Sequence, residues 1–285
     1  EAPSAQIDVE VDERNAASIR SGSSFYKIMG LPEEEFPPFP EKSGGKIIKI
    51  AQSVLRDMLK KTAYAVSNDE TRYVLNGVFM SYKADKLGVV ATDGRRLALI
   101  EQEMEVPKGS EAEWILPTKA VTELQKLLSD NGDITLYVGE NQIIADLNGT
   151  TLFSKLVEGN YPNFRQVIPT EVKERITLER EYFLSALHRV SIMASEKTQS
   201  VKLSFSKGKL VISAITPDVG EAKEDLSINY KGKDLAIAFN PQFMMDPLRN
   251  LDADEIFLEL TDELSPGVIK IQGHFLYVIM PMRLN

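Results

Sequence analysis

Leu156-Val157-Glu158-Gly159-Asn160-Tyr161-Pro162-Asn163-Phe164 reads Leu-x-Glu-x-x-aromatic-Pro-x-Phe. The same pattern stands earlier in the chain at Leu31-Pro32-Glu33-Glu34-Glu35-Phe36-Pro37-Pro38-Phe39. Pro37 and Pro162 hold the same place in the two copies and lie 125 residues apart. A fainter echo at nearly that spacing pairs Ser67–Leu75 with Ser195–Leu203 once a one-residue gap is allowed. Such a period is too long for a solenoid and has the size of a domain, so the chain reads as tandem duplicated domains. On this reading residues 1–45 are the closing strands of a first repeat, truncated, with a linker. Residues 46–172 are a complete second repeat and 173–285 a complete third. The charged, turn-rich stretches Glu41–Gly45 and Pro169–Glu174 serve as linkers.

Within each full repeat, helical and strand periods alternate. Val54, Leu55, Met58 and Leu59 make an apolar stripe that predicts a helix from Ile50 to about Ala65. Val121, Leu124 and Leu128 do the same for Thr118–Leu128, and Phe183, Leu187 and Val190 for Glu181–Ala194. A shorter helix is expected from Pro241 to Leu251, bent at Pro247. Strand alternation marks Gln6–Val11, Ser24–Ile28, Ile134–Val138, Lys209–Ile212 and Ile256–Leu260. Asn148-Gly149 and Lys207-Gly208 are hairpin-turn candidates. The expected class is α+β, with two helices packed on mostly antiparallel sheets per repeat.

The composition excludes much chemistry. The 285 residues contain no cysteine, which removes disulfides, thiol catalysis and Cys-based zinc sites and fits a reducing cytoplasm. Only His188 and His274 are available for imidazole chemistry. No phosphate-cradling Gly-x-x-x-x-Gly-Lys, Gly-x-Gly-x-x-Gly, Gly-x-Ser-x-Gly or His-Glu-x-x-His occurs. Glu33-Glu34-Glu35 and Asp252–Glu255 are read as solvated loop charge, because no partners converge on them. No metal, cofactor or catalytic residue is expected. No apolar run approaches the roughly 18 residues that a membrane-spanning helix needs.

Net charge is −9, from 33 basic against 42 acidic residues, which argues against a uniformly cationic nucleic-acid binder. Yet Arg56, Lys60, Lys119, Lys126, Arg189 and Lys197 fall on the polar sides of successive helical segments, with Lys61 and Arg249 beside them. Two readings stay open: ordinary solvated faces, or one basic lining repeated by stacked domains. A second feature joins distant stretches. Ala91-Thr92-Asp93-Gly94-Arg95-Arg96-Leu97 places an Asp-Gly turn and two arginines at the head of a strand. The chain ends in Met280-Pro281-Met282-Arg283-Leu284-Asn285, where Met280, Met282 and Leu284 alternate. Leu75, Thr92, Leu97, Pro162, Val167, Met280 and Met282, with Gly94 for close approach and Arg96 and Arg283 as donors, suit either interdomain packing or a Met-rich peptide groove.

Arg72-Tyr73-Val74-Leu75-Asn76-Gly77, Ala91–Ala98, Lys155–Pro162 and Val278–Leu284 resemble, in order and spacing, the bacterial replicative sliding clamps, the beta subunits of DNA polymerase III. The resemblance runs from Ile7 to Leu284. It implies three similar domains per subunit and a head-to-tail homodimeric ring with helices inside and sheets outside. Such a ring tethers the polymerase by encircling double-stranded DNA, without sequence preference and without catalysis. Further implied partners are the replicative polymerase catalytic subunit, the clamp loader, and repair polymerases bearing a clamp-binding motif.

Carried over by position, the partner-peptide pocket comprises Leu75, Thr92, Gly94, Arg95, Arg96, Leu97, Pro162, Val167, Asn240, Phe243, Leu264, Pro266, Val278, Ile279, Met280, Pro281, Met282, Arg283 and Leu284. Gln166 stands where some relatives have an arginine at the rim. Arg72 and Tyr73 match DNA-touching positions. Ile192 and Met193 match the ring interface of the last domain, and Tyr26 and Ile28 that of the first. The body of the first domain is missing from this pattern. The expectation is therefore a truncated clamp unable to close its ring, with a peptide-binding adaptor as the alternative function. A metal-dependent DNA-processing enzyme is a third reading, disfavoured by the lack of converging carboxylates.

Overall fold

A computed structural model describes residues 6–36, 38, 42, 45–147, 149–194, 200–217 and 219–283. The chain divides into one body up to Glu41 and a second from Lys42 onward. The first holds an antiparallel meander of β1 (Asp8–Val11), β2 (Ala16–Ser21) and β3 (Ser24–Met29). Sequence alternation marked only the outer two. The middle strand, Ala-Ala-Ser-Ile-Arg-Ser, has no two-residue period of its own and is created by the turn before it. There Asp12 accepts hydrogen bonds from the backbone N–H groups of Arg14 and Ala16, both at 2.9 Å, and folds the chain back.

The second body repeats one five-element unit four times: a strand, a helix, then a three-stranded meander. The first copy is β4 (Lys46–Ala51), α1 (Gln52–Thr62), β5 (Gly77–Lys83), β6 (Lys86–Thr92) and β7 (Arg96–Glu103). The second is β8 (Ala112–Pro117), α2 (Thr118–Leu127), β9 (Asp133–Val138), β10 (Gln142–Asp146) and β11 (Thr151–Lys155). The third is β12 (Glu174–Glu179), α3 (Arg180–Ser191), β13 (Val201–Ser206), β14 (Lys209–Thr216) and β15 (Gly220–Ser227). The fourth is β16 (Leu235–Phe239), α4 (Pro241–Asn250), β17 (Glu255–Leu260), β18 (Gly267–Lys270) and β19 (Phe275–Ile279). The period found in the sequence is two of these units. In every copy the strand runs straight into the helix through an extended cap residue, Ala51, Pro117, Glu179 or Asn240.

Each meander takes a fourth strand from the neighbouring unit, giving β11-β10-β9-β4 and β15-β14-β13-β16 as separate sheets. The other two merge into one eight-stranded sheet, β12-β17-β18-β19-β7-β6-β5-β8. The merger is an antiparallel joint between β19 and β7, with Tyr277 opposite Ala98, Val278 opposite Leu97 and Ile279 opposite Arg96. All pairings are antiparallel, as the α+β reading expected.

α2 packs on α1, α1 on α4, and α4 on α3, so the helices form one continuous row. Along β7, Ala98 and Ile100 face the large core beneath these helices, while Leu97 and Leu99 face a second, smaller core. That smaller core is closed by Tyr161, Phe164 and Ile168 of the connecting segment, with Tyr161 stacked on Phe79 at 4.9 Å between ring centres. The motif that revealed the repeat is thus the strap over the outer face of the sheet. Burial on both faces explains why Leu97-Ala98-Leu99-Ile100 is apolar without alternation.

α4 runs from Pro241 to Asn250 through Pro247, where the sequence suggested a bend. Proline at an interior position cannot bond the carbonyl four residues earlier, here Phe243. Instead the Tyr277 hydroxyl donates to the Phe243 carbonyl at 2.7 Å. Burial pushes that hydroxyl's pKa well above the usual phenol range, so it stays a donor. Tyr277→Phe should leave the carbonyl unsatisfied and cost about 1–3 kcal/mol of stability. Urea unfolding measures this, and an unchanged midpoint would assign the carbonyl another donor.

Candidate functional site

The β6–β7 turn is built by its own side chains. Thr92 Oγ1 donates to the Arg96 carbonyl at 2.6 Å and accepts from the Gly94 N–H at 3.1 Å. Asp93 Oδ1 accepts from the N–H groups of Arg95 and Arg96 at 2.9 and 3.1 Å. Gly94 has φ +85°, which favours glycine at this position; a Cβ there would stand 2.8 Å from Arg72 Nη1, the movable end of a long side chain. Arg72 is spent inside the chain: Nη1 donates to the Asp93 carbonyl at 2.9 Å and Nε to Asp69 at 3.0 Å. Tyr73 is exposed, and its hydroxyl lies against Gly159 of the connecting segment.

Arg96 is the bolt under the turn. Its side chain is 10% exposed; it donates to Asp93 at 3.0 Å, to the Tyr64 carbonyl at 2.7 Å and to Asp246 of α4, and it lies 4.3 Å from the centre of the Phe243 ring. Burial alone would lower its pKa, but Tyr277, Asp246 and Asp93 more than offset this and hold it charged. The sequence suggested Arg96 as a donor to a ligand. In the folded chain those donors join β7 to α4 instead, which leaves exposed Arg95 as the arginine that faces outward from the turn.

The C-terminal segment straddles two sheets. The Met280 N–H donates to the Arg95 carbonyl at 2.9 Å, and the Met282 N–H to the Ala238 carbonyl of β16 at 2.8 Å. Met280 is 44% exposed; Pro281 and Met282 are half-buried and Arg283 is exposed. Around this segment gather the α4 start and the loop before β18. Asn240 caps α4 by accepting from the Phe243 N–H at 3.2 Å. Asp262 shapes the loop holding Leu264 and Pro266, and Pro266 precedes Gly267, the partner of Ile279.

Leu264 and Val167 are strongly exposed, and so is Pro162. Leu75, Thr92, Leu97, Val278 and Ile279, by contrast, are buried. These five lie beneath the surface of the region the sequence suggested as a pocket. Leu284 lies outside the described residues. A recess of about 790 Å³ opens beside Pro162, on the outer face of β5–β8. Sequence reasoning missed Tyr64, Asp246 and Ala238, whose contributions are a backbone carbonyl, a half-buried carboxylate and another carbonyl; none leaves a pattern in the sequence.

The basic helix face is largely self-neutralised. Arg56 pairs with Asp130, Lys60 with Asp252 at 2.8 Å, Lys126 with Glu123 at 2.8 Å, and Arg189 with Glu224 at 2.7 and 3.0 Å. Lys61 pairs with Asp57 at 2.6 Å. Lys119 is exposed and makes no ion pair among the described residues. Lys197 lies outside them. Lys60–Asp252 links α1 to the end of α4, so the row of helices is stitched across the repeats. Among the described residues no three carboxylates or imidazoles converge on a metal-sized site, and no helix is long and apolar enough to cross a membrane.

The sequence profile of the DNA polymerase III beta subunit central domain matches residues 49–163, and that of its C-terminal domain matches 165–283. The beta sliding clamp of Chlamydia pneumoniae is 36% identical over 281 residues, which cover 99% of this chain and 77% of that protein. The chain belongs to the beta sliding clamp family. The clamp of Bacillus subtilis is 31% identical over 287 residues, covering 99% and 76%. The crystal structure of the sliding clamp from Pseudomonas aeruginosa superposes with a TM-score of 0.89 at 32% identity, over 98% of this chain and 76% of that one. That from Bacillus subtilis gives 0.91 at 31%, over 100% and 77%. The chain thus spans about three quarters of these relatives. As a sliding clamp it is a non-catalytic processivity factor of DNA replication and not an enzyme.

Proposed function

We propose, in place of the expected failure to close, that this sliding clamp acts as a ring around duplex DNA, since the edge strand β3 that a joint between copies needs is present, and that it presents, at the β7–β19 joint, a groove for linear peptides. The occupants of that groove would be segments of the polymerase catalytic subunit, the clamp loader and repair polymerases, in the cytoplasm. The division into 1–45, 46–172 and 173–285 is part of the same proposal.

The observation that carries the ring is the joint itself. Two three-stranded meanders meet edge to edge at β7 and β19, while the corresponding edges β3 and β15 have no partner strand within the sheets described. An unpaired edge is a template for another chain. Around β3, Tyr26 and Ile28 are 62% and 55% exposed; at the end of α3, near β15, Ile192 is 73% exposed and Met193 half-buried. Apolar side chains so placed suit an interface between copies. A helix row whose cations are shared with carboxylates holds phosphate weakly. Weak contact suits a ring whose grip is topological.

The test is retention on DNA. Protein loaded on nicked circular DNA should remain bound through gel filtration in about 0.15 M salt, where exposed charge contacts are screened. Cutting the circle should release it. Equal loss from circle and line would refute the ring. If peptide binding persisted in that protein, the adaptor reading would replace it.

A further inference from the structure

We infer that, where two copies join, Lys27 of one stands directly across from Glu221 of the next, and that this pair makes closure of the joint salt-dependent. The inference rests on the ring reading and fixes its register.

The register is transferred from the joint inside the chain. β3 and β19 match residue by residue: Gly22-Ser23-Ser24-Phe25-Tyr26-Lys27-Ile28-Met29 aligns with Gly273-His274-Phe275-Leu276-Tyr277-Val278-Ile279-Met280. Gly22 and Gly273 both have positive φ. The neighbouring strands agree, since Ile19 opposes Tyr26 as Ile269 opposes Tyr277. β15 and β7 match through their hairpins. Two-residue turns join Lys83 to Lys86 and Ser206 to Lys209, and from there Leu87 aligns with Leu210 and Ala91 with Ala214. Ala91 opposes Ala98, and Ala214 opposes Ala222. Ala98 therefore corresponds to Ala222, Leu97 to Glu221 and Leu99 to Lys223.

Setting β3 on β15 as β19 sits on β7 puts Tyr26 opposite Ala222, Lys27 opposite Glu221 and Ile28 opposite Gly220. The helix-side face is then apolar. A Cβ on Gly220 would stand 2.8 Å from the Met193 terminal methyl, so Ile28 would approach Met193.

The other face differs between the two joints for a physical reason. Inside the chain, Val278 and Leu97 are buried at 2% exposure beneath Tyr161, Phe164 and Ile168 of the connecting strap. Between copies no covalent strap crosses the joint, so the same two positions face water. There a lysine and a glutamate take the place of valine and leucine. Lys27 now meets Asp12 only at 4.0 Å, and Glu221 is exposed with no ion pair among the described residues. Both charges are thus available to a facing partner.

Sedimentation of wild type, Lys27→Glu, Glu221→Lys and the double reversal across a salt series tests this. The wild type should dimerise with a Kd that rises with salt. Each single reversal should weaken the dimer by roughly tenfold at low salt, because two joints per ring each gain a like-charge pair. The double reversal should restore both the wild-type Kd and its salt dependence. Both sites are exposed, and unchanged circular dichroism confirms folding. A dimer indifferent to the single reversals, or a double variant no tighter than the singles, would overturn the register alone. A wild type monomeric at every salt concentration would overturn the ring reading itself.

Discussion

Arg96→Met should lower folding stability by about 3–5 kcal/mol, the usual consequence of stripping one partner from a buried ion-pair network. The guanidinium stands between Asp93 and Asp246, each 16% exposed, and also satisfies the Tyr64 carbonyl. Methionine keeps much of the aliphatic bulk against Phe243 but strips Asp93 of its ion-pair partner and leaves Asp246 with Arg249 at 3.8 Å as its remaining one. Asp93 Oδ1 also ties the N–H groups of Arg95 and Arg96, so loss of the partner at its other oxygen loosens the Asp-Gly turn. Chemical denaturation gives the stability change. A second variant, Arg96→Met with Asp246→Asn, should recover part of it, because the charge left unpaired is reduced. A loss below about 1 kcal/mol for the single change would place the network in the class of exposed ion pairs.

Met280→Ala combined with Met282→Ala should weaken a clamp-binding peptide by about 1–3 kcal/mol, the range for truncating interface anchors. Met280 is the more exposed of the two, and a thioether on a flexible stem adapts to differently shaped partners. The backbone carries the alignment: the Met280 and Met282 N–H groups bond the Arg95 and Ala238 carbonyls, and alanine preserves both bonds. The folded state should therefore survive the double change. Calorimetric titration with a peptide containing glutamine and hydrophobic residues reads the affinity, and an unchanged value with an intact fold would move the groove elsewhere. Leu97→Ala offers a contrast. Its side chain is 2% exposed, so its substitution should act through stability before affinity.

The helices were legible in the chain to within a few residues. α1, α2 and α3 follow apolar stripes at a spacing that only a helix aligns on one face; the stripe residues Leu55, Met58, Leu59, Val121, Leu124, Leu128, Phe183, Leu187 and Val190 are buried and Val54 is half-buried. The duplicated Leu-x-Glu-x-x-aromatic-Pro-x-Phe motif was legible too, although its task was not. Tyr161 and Phe164 are conspicuous as letters, but only the folded chain sets them on Phe79 and Leu97. β2 escaped notice because a middle strand needs neighbours more than it needs a period of its own.

Arg72 and Arg96 show the limit most clearly. The resemblance implied that Arg72 touches DNA, and the turn suggested Arg96 as a donor to a ligand; in the folded chain Arg72 donates to Asp69 and the Asp93 carbonyl, and Arg96 to Asp93, the Tyr64 carbonyl and Asp246. The basic helix faces follow the same rule, since Lys60 meets Asp252 and Arg56 meets Asp130.

By itself the sequence determined the helices, the duplication, and membership of the sliding clamps, because period, turn chemistry and motif spacing are local properties that survive without a fold. Tertiary structure alone decided which edge meets which, which arginine faces outward, and that Val278 lies on Leu97 while Lys27 lies in water. Those outcomes depend on pairings between distant segments and on whether a strap happens to cross the sheet, and neither leaves a trace in the neighbouring residues.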